Sequence, residues 1–287
     1  MLHAKSQVAR LLAGVAALAA LFVAPAAFAA WDLNMPKGVT ELSDDIWNLH
    51  MLIFWVCVAI AVVVFGAMFY SIFKFQKAKG AVPGNFNHST TLEIVWTAVP
   101  VIILVAMAIP SARMLVKMED TRDPDLTVKV TGYQWKWAYE YLDDEFQYFS
   151  NIDSLSNQIR QLDSGMDPSE HEHYLRDVDE PMVVPVGAKV RVLITASDVI
   201  HAWWVPEIAR KKDAIPGFIN EFWFRVEQPG VYRGQCAELC GRDHGFMPVV
   251  VDARSPEDYL EWVNERRVLA GLPPRPTSDA TVAAASE

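Results

Sequence analysis

Two thiols, an imidazole and a thioether fall within twelve residues of one segment, Cys236-Ala-Glu-Leu-Cys240-Gly-Arg-Asp-His244-Gly-Phe-Met247. Soft sulfur donors beside imidazole suit copper or zinc. Each part has a plainer reading alone. The cysteine pair reads as a disulfide in an oxidising compartment, and Met247 as packing. The whole set in one loop points to a metal.

The spacing Cys240-x3-His244-x2-Met247 is similar to the closing loop of a blue-copper protein, whose single copper takes one Cys, two His and a weak Met. Cys236 adds a second thiolate. Two thiolates can each bridge two metals, so the set fits a binuclear centre in which each copper needs its own imidazole. His201, in Ser-Asp-Val-Ile-His-Ala-Trp-Trp, is the best second imidazole because it follows a predicted strand by a short turn. His50 borders an apolar run, His88 lies between two such runs, and His171 and His173 read as solvent-facing.

The elements that must carry these residues are short strands. Gln134-Trp-Lys-Trp-Ala-Tyr-Glu-Tyr141 alternates with a period of two, which places Trp135, Trp137, Tyr139 and Tyr141 on one face. Val190, Val192 and Ile194 repeat the pattern, and 221–227 and 247–252 read as further strands. Pro185-Val-Gly187, Pro216-Gly217 and Pro229-Gly230 punctuate them, as in a β-sandwich or barrel. Phe149 to Arg176 reads as an inserted polar loop or short helix. Ser255-Pro-Glu-Asp258 has an N-cap serine, a proline at the first helical position and first-turn acids, so a helix starts there.

The chain before this is of another kind. Lys5 and Arg10, an apolar centre and Ala26-Ala27-Phe28-Ala29-Ala30 read as an export signal over 1–29. Met51–Tyr70 and Ile94–Ala112 are uncharged runs long enough to cross a bilayer, giving a transmembrane hairpin over 30–115. Pro100 and Pro110 are tolerable in a membrane helix. Thr90-x-x-Glu93 reads as a capping box at the start of the second span. Lys74, Lys77 and Lys79 place the connecting segment in the cytoplasm by the positive-inside rule, so residues 116–270 form an exported domain, followed by a disordered tail over 271–287. Cys57, inside the first span, reads as structural.

Charge agrees with that division. The mean hydropathy of +0.14 is high for a soluble chain. The net charge is −10, and from Glu119 onward 30 acidic residues stand against 17 basic, a balance of −13. Such a surface excludes nucleic acid and favours a basic partner. No Cys-x-x-Cys-His run attaches a haem.

Taken together, Leu92-Glu-Ile-Val-Trp-Thr97, the strand Gln134–Tyr141, Asp198-Val-Ile-His201, Asp213-Ala-Ile-Pro-Gly217 and the loop Cys236–Met247 resemble subunit II of haem-copper cytochrome c oxidases of the CuA-containing type. The resemblance implies a two-helix transmembrane hairpin plus an all-β cupredoxin-like Greek-key barrel. It implies that Cys236 and Cys240 bridge two coppers, that His201 and Met247 complete one, and that His244 with the Glu238 carbonyl completes the other. It further implies an aa3-type oxidase of a bacterial inner membrane, with the copper domain periplasmic. Electrons come from a soluble or membrane-anchored cytochrome c and pass to haem a of subunit I, which also holds haem a3 and CuB. Subunit III is a further partner, oxygen is reduced to water and protons are pumped.

By the same resemblance Trp135 is the electron-entry residue, although without it the aromatic stripe accounts for Trp135 equally well. The Glu238 side chain holds a magnesium ion shared with subunit I, Glu93 sits at a proton-channel mouth, and Glu140, Asp179 and Asp198 help dock cytochrome c. Phe218 departs from the pattern, since an arginine often follows Asp-Ala-Ile-Pro-Gly, and the stretch 149–176 is long. A quinol oxidase subunit would lack the cysteine pair, and a nitrous-oxide-reductase-like chain would need a large catalytic domain. A membrane-anchored copper-delivery protein would favour exposed, exchangeable ligands.

Overall fold

The computed structural model describes residues 34–275, apart from 83 and 86. The expected export signal over 1–29 and residues 276–287 of the expected tail lie outside the described residues, whereas 271–275 are ordered, with the Arg275 N–H on Asn264 and its guanidinium on Asp144. Helix α1 (Glu41–Lys74) and helix α2 (Thr90–Met118) contain the two apolar runs, with mean hydropathies of 2.8 and 2.4 and no burial of their most apolar stretches against the protein. At ~1.5 Å per residue both exceed a hydrocarbon core of about 30 Å and emerge from it. Pro100 and Pro110 both lie within α2, as a membrane helix permits.

The helix starts correct one expectation. Ser89, not Thr90, is the N-cap of α2, it makes no side-chain cap bond, and the Glu93 N–H bonds the Ser89 carbonyl at 3.0 Å. Thr90 and Glu93 are each one position too far along to form a box. The box is at α1 instead, where Thr40 Oγ1 accepts from the Ser43 N–H and Ser43 Oγ from the Thr40 N–H, both at 3.0 Å. A Ser at the position usually held by Glu or Gln hid this signal.

Beyond α2 the chain forms two five-stranded sheets. One has the order β3-β2-β1-β5-β8, from β1 (Leu126–Tyr133), β2 (Lys136–Tyr141), β3 (Phe146–Ser150), β5 (Val190–Ala196) and β8 (Asn220–Phe224). The other is β4-β10-β9-β6-β7, from β4 (Met182–Pro185), β6 (His201–Val205), β7 (Arg210–Ala214), β9 (Gly230–Cys236) and β10 (Pro248–Arg254). β1 runs parallel to β5 and β4 to β10, and the other pairings are antiparallel. Strict alternation in β1, β2 and β5 sends Val128, Val130, Trp137, Tyr139, Tyr141, Val190, Val192 and Ile194 into a fully buried core between the sheets. The result is a β-sandwich, or half-barrel, above two long apolar helices.

Two strand boundaries differ from the sequence reading. Trp135 is not part of the stripe, because β2 begins at Lys136 and Trp135 sits in the β1–β2 turn, half-buried. Phe149 belongs to β3, so the insertion starts at Asn151, whose side chain and N–H both bond Asp179 across its neck. It contains α3 (Ser154–Ile159), capped by Asp153. His171 is not solvent-facing: its side chain is largely covered and its Nε2 lies 3.7 Å from Asp153.

The end of the sandwich away from the β1–β2 turn is closed by α4 (Pro256–Leu269), begun by Ser255 as its sequence indicates. Trp262 of α4 packs on Tyr141 and Phe146 with centroids 5.3 and 5.7 Å apart. Beside it the buried Asp144 meets Arg275 at 2.5 Å, while its carbonyl accepts from Arg267.

The helices are joined firmly to the sandwich. The Val39 N–H donates to Glu207 O, Thr40 pairs with Val226, and the Glu227 N–H returns to Val39 O. From α2, the Lys117 carbonyl accepts from Trp223 Nε1 at 3.1 Å, and the Lys117 ammonium bridges Glu41 and Asp45 of α1. Leu42, Met114 and Trp223 form a buried cluster at this junction.

Thr40→Ala removes one half of the capping box and the contact to Ile208 O. Thermal unfolding of the full chain in detergent is expected to show a loss of about 1 kcal/mol. Ser43→Ala should match it, and the double variant should fall short of the sum, because both act on one motif.

Candidate metal centre

Three connections meet at the open end of the sandwich: the β1–β2 turn, the β5–β6 loop and the β9–β10 loop. His201 opens β6 and is completely buried, opposite Ala214 of β7. Cys236 closes β9, and the loop it begins is sewn to both neighbours, with the Cys236 N–H on Met247 O and the Ala237 N–H on Ala202 O. His244 lies in a single 3₁₀ turn, His244–Phe246, and Met247 follows it just before β10.

These elements gather the donors. The ligand atoms of His201, Cys236 and Cys240 lie within 4.8 Å of one another. Cys236 Sγ is 3.8 Å from Cys240 Sγ, 4.0 Å from His201 Nδ1 and 3.4 Å from the Glu238 carbonyl oxygen. Cys240 Sγ is 3.5 Å from both His244 Nδ1 and Met247 Sδ. A disulfide needs about 2.05 Å between sulfurs, so the two are free thiols rather than a bridge. Cys236, Cys240 and Met247 are each at most 3% exposed. Five sulfur and nitrogen donors and one carbonyl oxygen, most of them buried, fit a thiophilic metal cluster.

The orientation of His201 is fixed from behind. Its Nε2 lies 2.9 Å from Asp198 Oδ1, which leaves Nδ1 facing Cys236. A carboxylate on one ring nitrogen selects the tautomer whose other nitrogen offers a lone pair. Asp198 is itself held by the N–H groups of Gln134 and Val199, both at 2.7 Å. Gly132 of β1 lies against the ring, and a Cβ there would stand 2.8 Å from His201 Cδ2.

The titrations follow from these contacts. Burial alone would raise the Cys236 thiol, but hydrogen bonds from His201 and the backbone outweigh it and bring it down to about 7. Burial and the neighbouring Cys236 push the Cys240 thiol up to about 12. Burial disfavours charge on His201, yet its bonds to Cys236 and Asp198 raise it above its ordinary value. Asp198 resists its own burial and lies below the usual carboxylate range because His201 and two N–H groups bond it. One thiol is thus poised to ionise near neutrality.

Trp135 borders the centre. Its Nε1 donates to the Cys240 carbonyl at 3.3 Å, Gln134 Nε2 donates to the same oxygen at 2.8 Å, and the Arg242 guanidinium lies 5.3 Å over the ring. Gly241, at φ 122°, lets the two side chains approach, since a Cβ there would meet Gln134 Nε2 at 2.9 Å. The Glu238 side chain is exposed on the loop.

Other expected site residues lie elsewhere. Glu93 is exposed in the first turn of α2, about 38 Å along the helix from Met118 at ~1.5 Å per residue. Glu140 is engaged by Lys129 at 2.8 Å, and Asp179 by Asn151. Asp198 is exposed and also bonds Nε2 of His201. The sequence reading missed Gly132 and the clamp of Gln134. A glycine within a β-branched and aromatic strand was the available signal for the first, since it marks a close approach.

A family model described as cytochrome C oxidase subunit II, transmembrane domain, matches residues 29–114, and one described as cytochrome C oxidase subunit II, periplasmic domain, matches residues 126–254. The probable cytochrome c oxidase subunit 2 of Rickettsia bellii is 40% identical over 240 residues, covering 84% of this chain and 86% of that one. Cytochrome c oxidase subunit 2 of Arabidopsis thaliana is 38% identical over 243 residues, covering 83% and 90%. Among solved structures, the periplasmic domain of subunit II of the cytochrome oxidase of Bradyrhizobium japonicum is 39% identical, covering 52% of this chain and 98% of that one with a TM-score of 0.44.

Gly132→Ala should displace the His201 ring without deleting a donor. The full chain is expected to fold with a loss of about 1–3 kcal/mol from overpacking and to retain copper at least roughly tenfold less well on dialysis. Copper content and the unfolding midpoint of the same sample check both.

Proposed function

Because the chain belongs to the cytochrome c oxidase subunit II family, and is thus a membrane-anchored oxidase subunit with a periplasmic domain, we propose that its sealed His/Cys/Cys cluster is the electron-entry centre of the complex. Cys236 and Cys240 would hold two coppers between them, with His201 and Met247 on one and His244 and the Glu238 carbonyl on the other. When bound there, the CuA pair supplies a one-electron relay between cytochrome c outside the membrane and haem a of subunit I. The observation that carries this reading is the burial of two free thiols beside the Asp198-oriented His201.

The chain's own residues do the rest. Burial of Cys236, Cys240, His201 and Met247 excludes water and holds the donors in place, so little need move when charge changes. Asp198 keeps Nδ1 of His201 free to donate. Trp135, hydrogen-bonded to the Cys240 carbonyl, reaches from the docking side to the backbone of a thiol ligand, which supports its role as the entry residue. The exported region's balance of −13 suits a basic cytochrome c. Glu140, Asp179 and Asp198 are proposed to contribute to that field. The exposed Glu238 side chain is free to hold magnesium at the face toward subunit I, and Glu93 lies at the end of α2 where a proton-channel mouth in subunit I would begin. Subunit III and a bacterial inner membrane complete the proposed setting, with residues 1–29 as the export signal.

Copper analysis of the purified full chain tests this reading. Two coppers with a mixed-valence spectrum are expected, and one copper with a mononuclear blue spectrum would overturn it. Cys240→Ser should abolish the pair, since a hydroxyl is a harder donor that resists deprotonation.

A second measurement isolates Trp135. Trp135→Gln is expected to keep its copper and its affinity for cytochrome c while rapid-mixing electron entry falls by orders of magnitude. Unchanged entry in a fully loaded variant would reduce Trp135 to a packing residue.

A further inference from the structure

The stretch 151–180 touches the strand that leads into the metal loop at one place and the loop itself at another. Its neck is closed by Asn151 and Asp179, by the Asp153 N–H on Asp177 O, and by the Ile152–Val178 bridge. Inside the neck, Ser156 Oγ accepts from the Leu175 N–H at 3.0 Å, and Ser156 and Ile159 are buried. The stretch is therefore a structured body rather than a slack loop. Asp177 anchors it to β9, where Arg233 Nε donates at 2.9 Å, three residues before Cys236.

Its other contact is Arg160, at the end of α3. Asn157 Oδ1 accepts from Arg160 Nε at 2.8 Å and fixes the guanidinium, which lies 4.5 Å from the centroid of the Phe246 ring and 3.8 Å from Asp243 Oδ2. Asp243 and Phe246 bracket His244, and Phe246 precedes Met247. Arg160 and Asp243 are largely covered, with side-chain exposures of 22% and 17%, so the pair is less screened than a surface bridge.

The His244–Phe246 turn needs such support. It is a single 3₁₀ turn without a side-chain cap, and His244 is half-exposed whereas His201, on a strand, is fully buried. Its backbone is held by local bonds, the His244 N–H on Gly241 O at 3.3 Å and the Phe246 N–H on Asp243 O at 2.9 Å, whereas β6 holds His201 in a sheet between two neighbouring strands.

We propose that the 151–180 insertion is a brace whose Arg160 positions the His244–Met247 turn over Cys240 and keeps the centre closed. Arg160 is a positioning residue: it touches no donor atom and acts through Asp243 and Phe246. The copper arm of the test rests on the binuclear reading above, whereas the thiol arm does not.

The test uses the full chain in detergent with Cys57→Ser, so that Cys236 and Cys240 are its only thiols. In the reduced, metal-free protein, Arg160→Gln should raise the rate of reaction with an aromatic disulfide reagent roughly tenfold with an unchanged melting temperature. Phe246→Leu should do the same, and the double variant should be no faster than either single one. After copper loading, Arg160→Gln should show a shifted visible spectrum and faster copper loss to a chelator than the parent. Parental thiol rates in both single variants, additive rates, or acceleration only in step with a fall in melting temperature would overturn the brace. Failure of the parent to bind two coppers would count against the binuclear reading alone, and the thiol rates would still decide the role of Arg160.

Discussion

Two free thiols buried 3.8 Å apart in an oxidising compartment are held open by the line Asp198–His201–Cys236. The carboxylate sets the ring, the ring faces the sulfur, and the sulfur is thereby eased toward ionisation. Each link requires something of the fold. Asp198 needs the N–H of Gln134 from the β1–β2 turn, His201 needs the space left by Gly132, and Cys236 needs the register that ends β9 beside β6. Three connections far apart in sequence must therefore meet at one end, and the parallel pairing of β1 with β5 brings two of them together there.

The division of labour along the sandwich follows. One end is polar, sulfur-rich and built from loops, while the other is stoppered by α4 with Trp262 and the Asp144–Arg275 pair. The aromatic stripe between them, Trp137, Tyr139 and Tyr141, carries packing along its whole length. Trp137 touches the ring of His201 at 5.9 Å between centroids, so core and centre share a wall. Rigidity at the donors is in this sense an extension of the core.

Much of this was legible in the residues. Period-two patterns marked β2 and β5 because each has one face in the core and the other outside it, and the apolar runs marked both long helices because lipid permits no polar interruption. Ser255-Pro256 announced α4 by its cap. The donor set could be read because its residue types are rare and close in sequence. Illegible parts depended on pairings across the fold. Nothing near Asp198 reveals that its exposed carboxylate also bonds His201, and strict alternation through Trp135 conceals the turn that removes it from the stripe. Arg160 looks like any surface arginine until the insertion folds back on Phe246. The capping box at Thr40 was missed because its third member is a serine.

The junction at Val39 and Thr40 fixes the topology of the chain independently of any charge rule. These residues precede α1, yet they hydrogen-bond to Glu207, Val226 and Glu227, which follow α2. Segments on opposite faces of a bilayer cannot share backbone hydrogen bonds, so the chain between them must cross an even number of times. It also follows that the sandwich cannot complete this edge until both helices are inserted and the start of the first has been delivered outside.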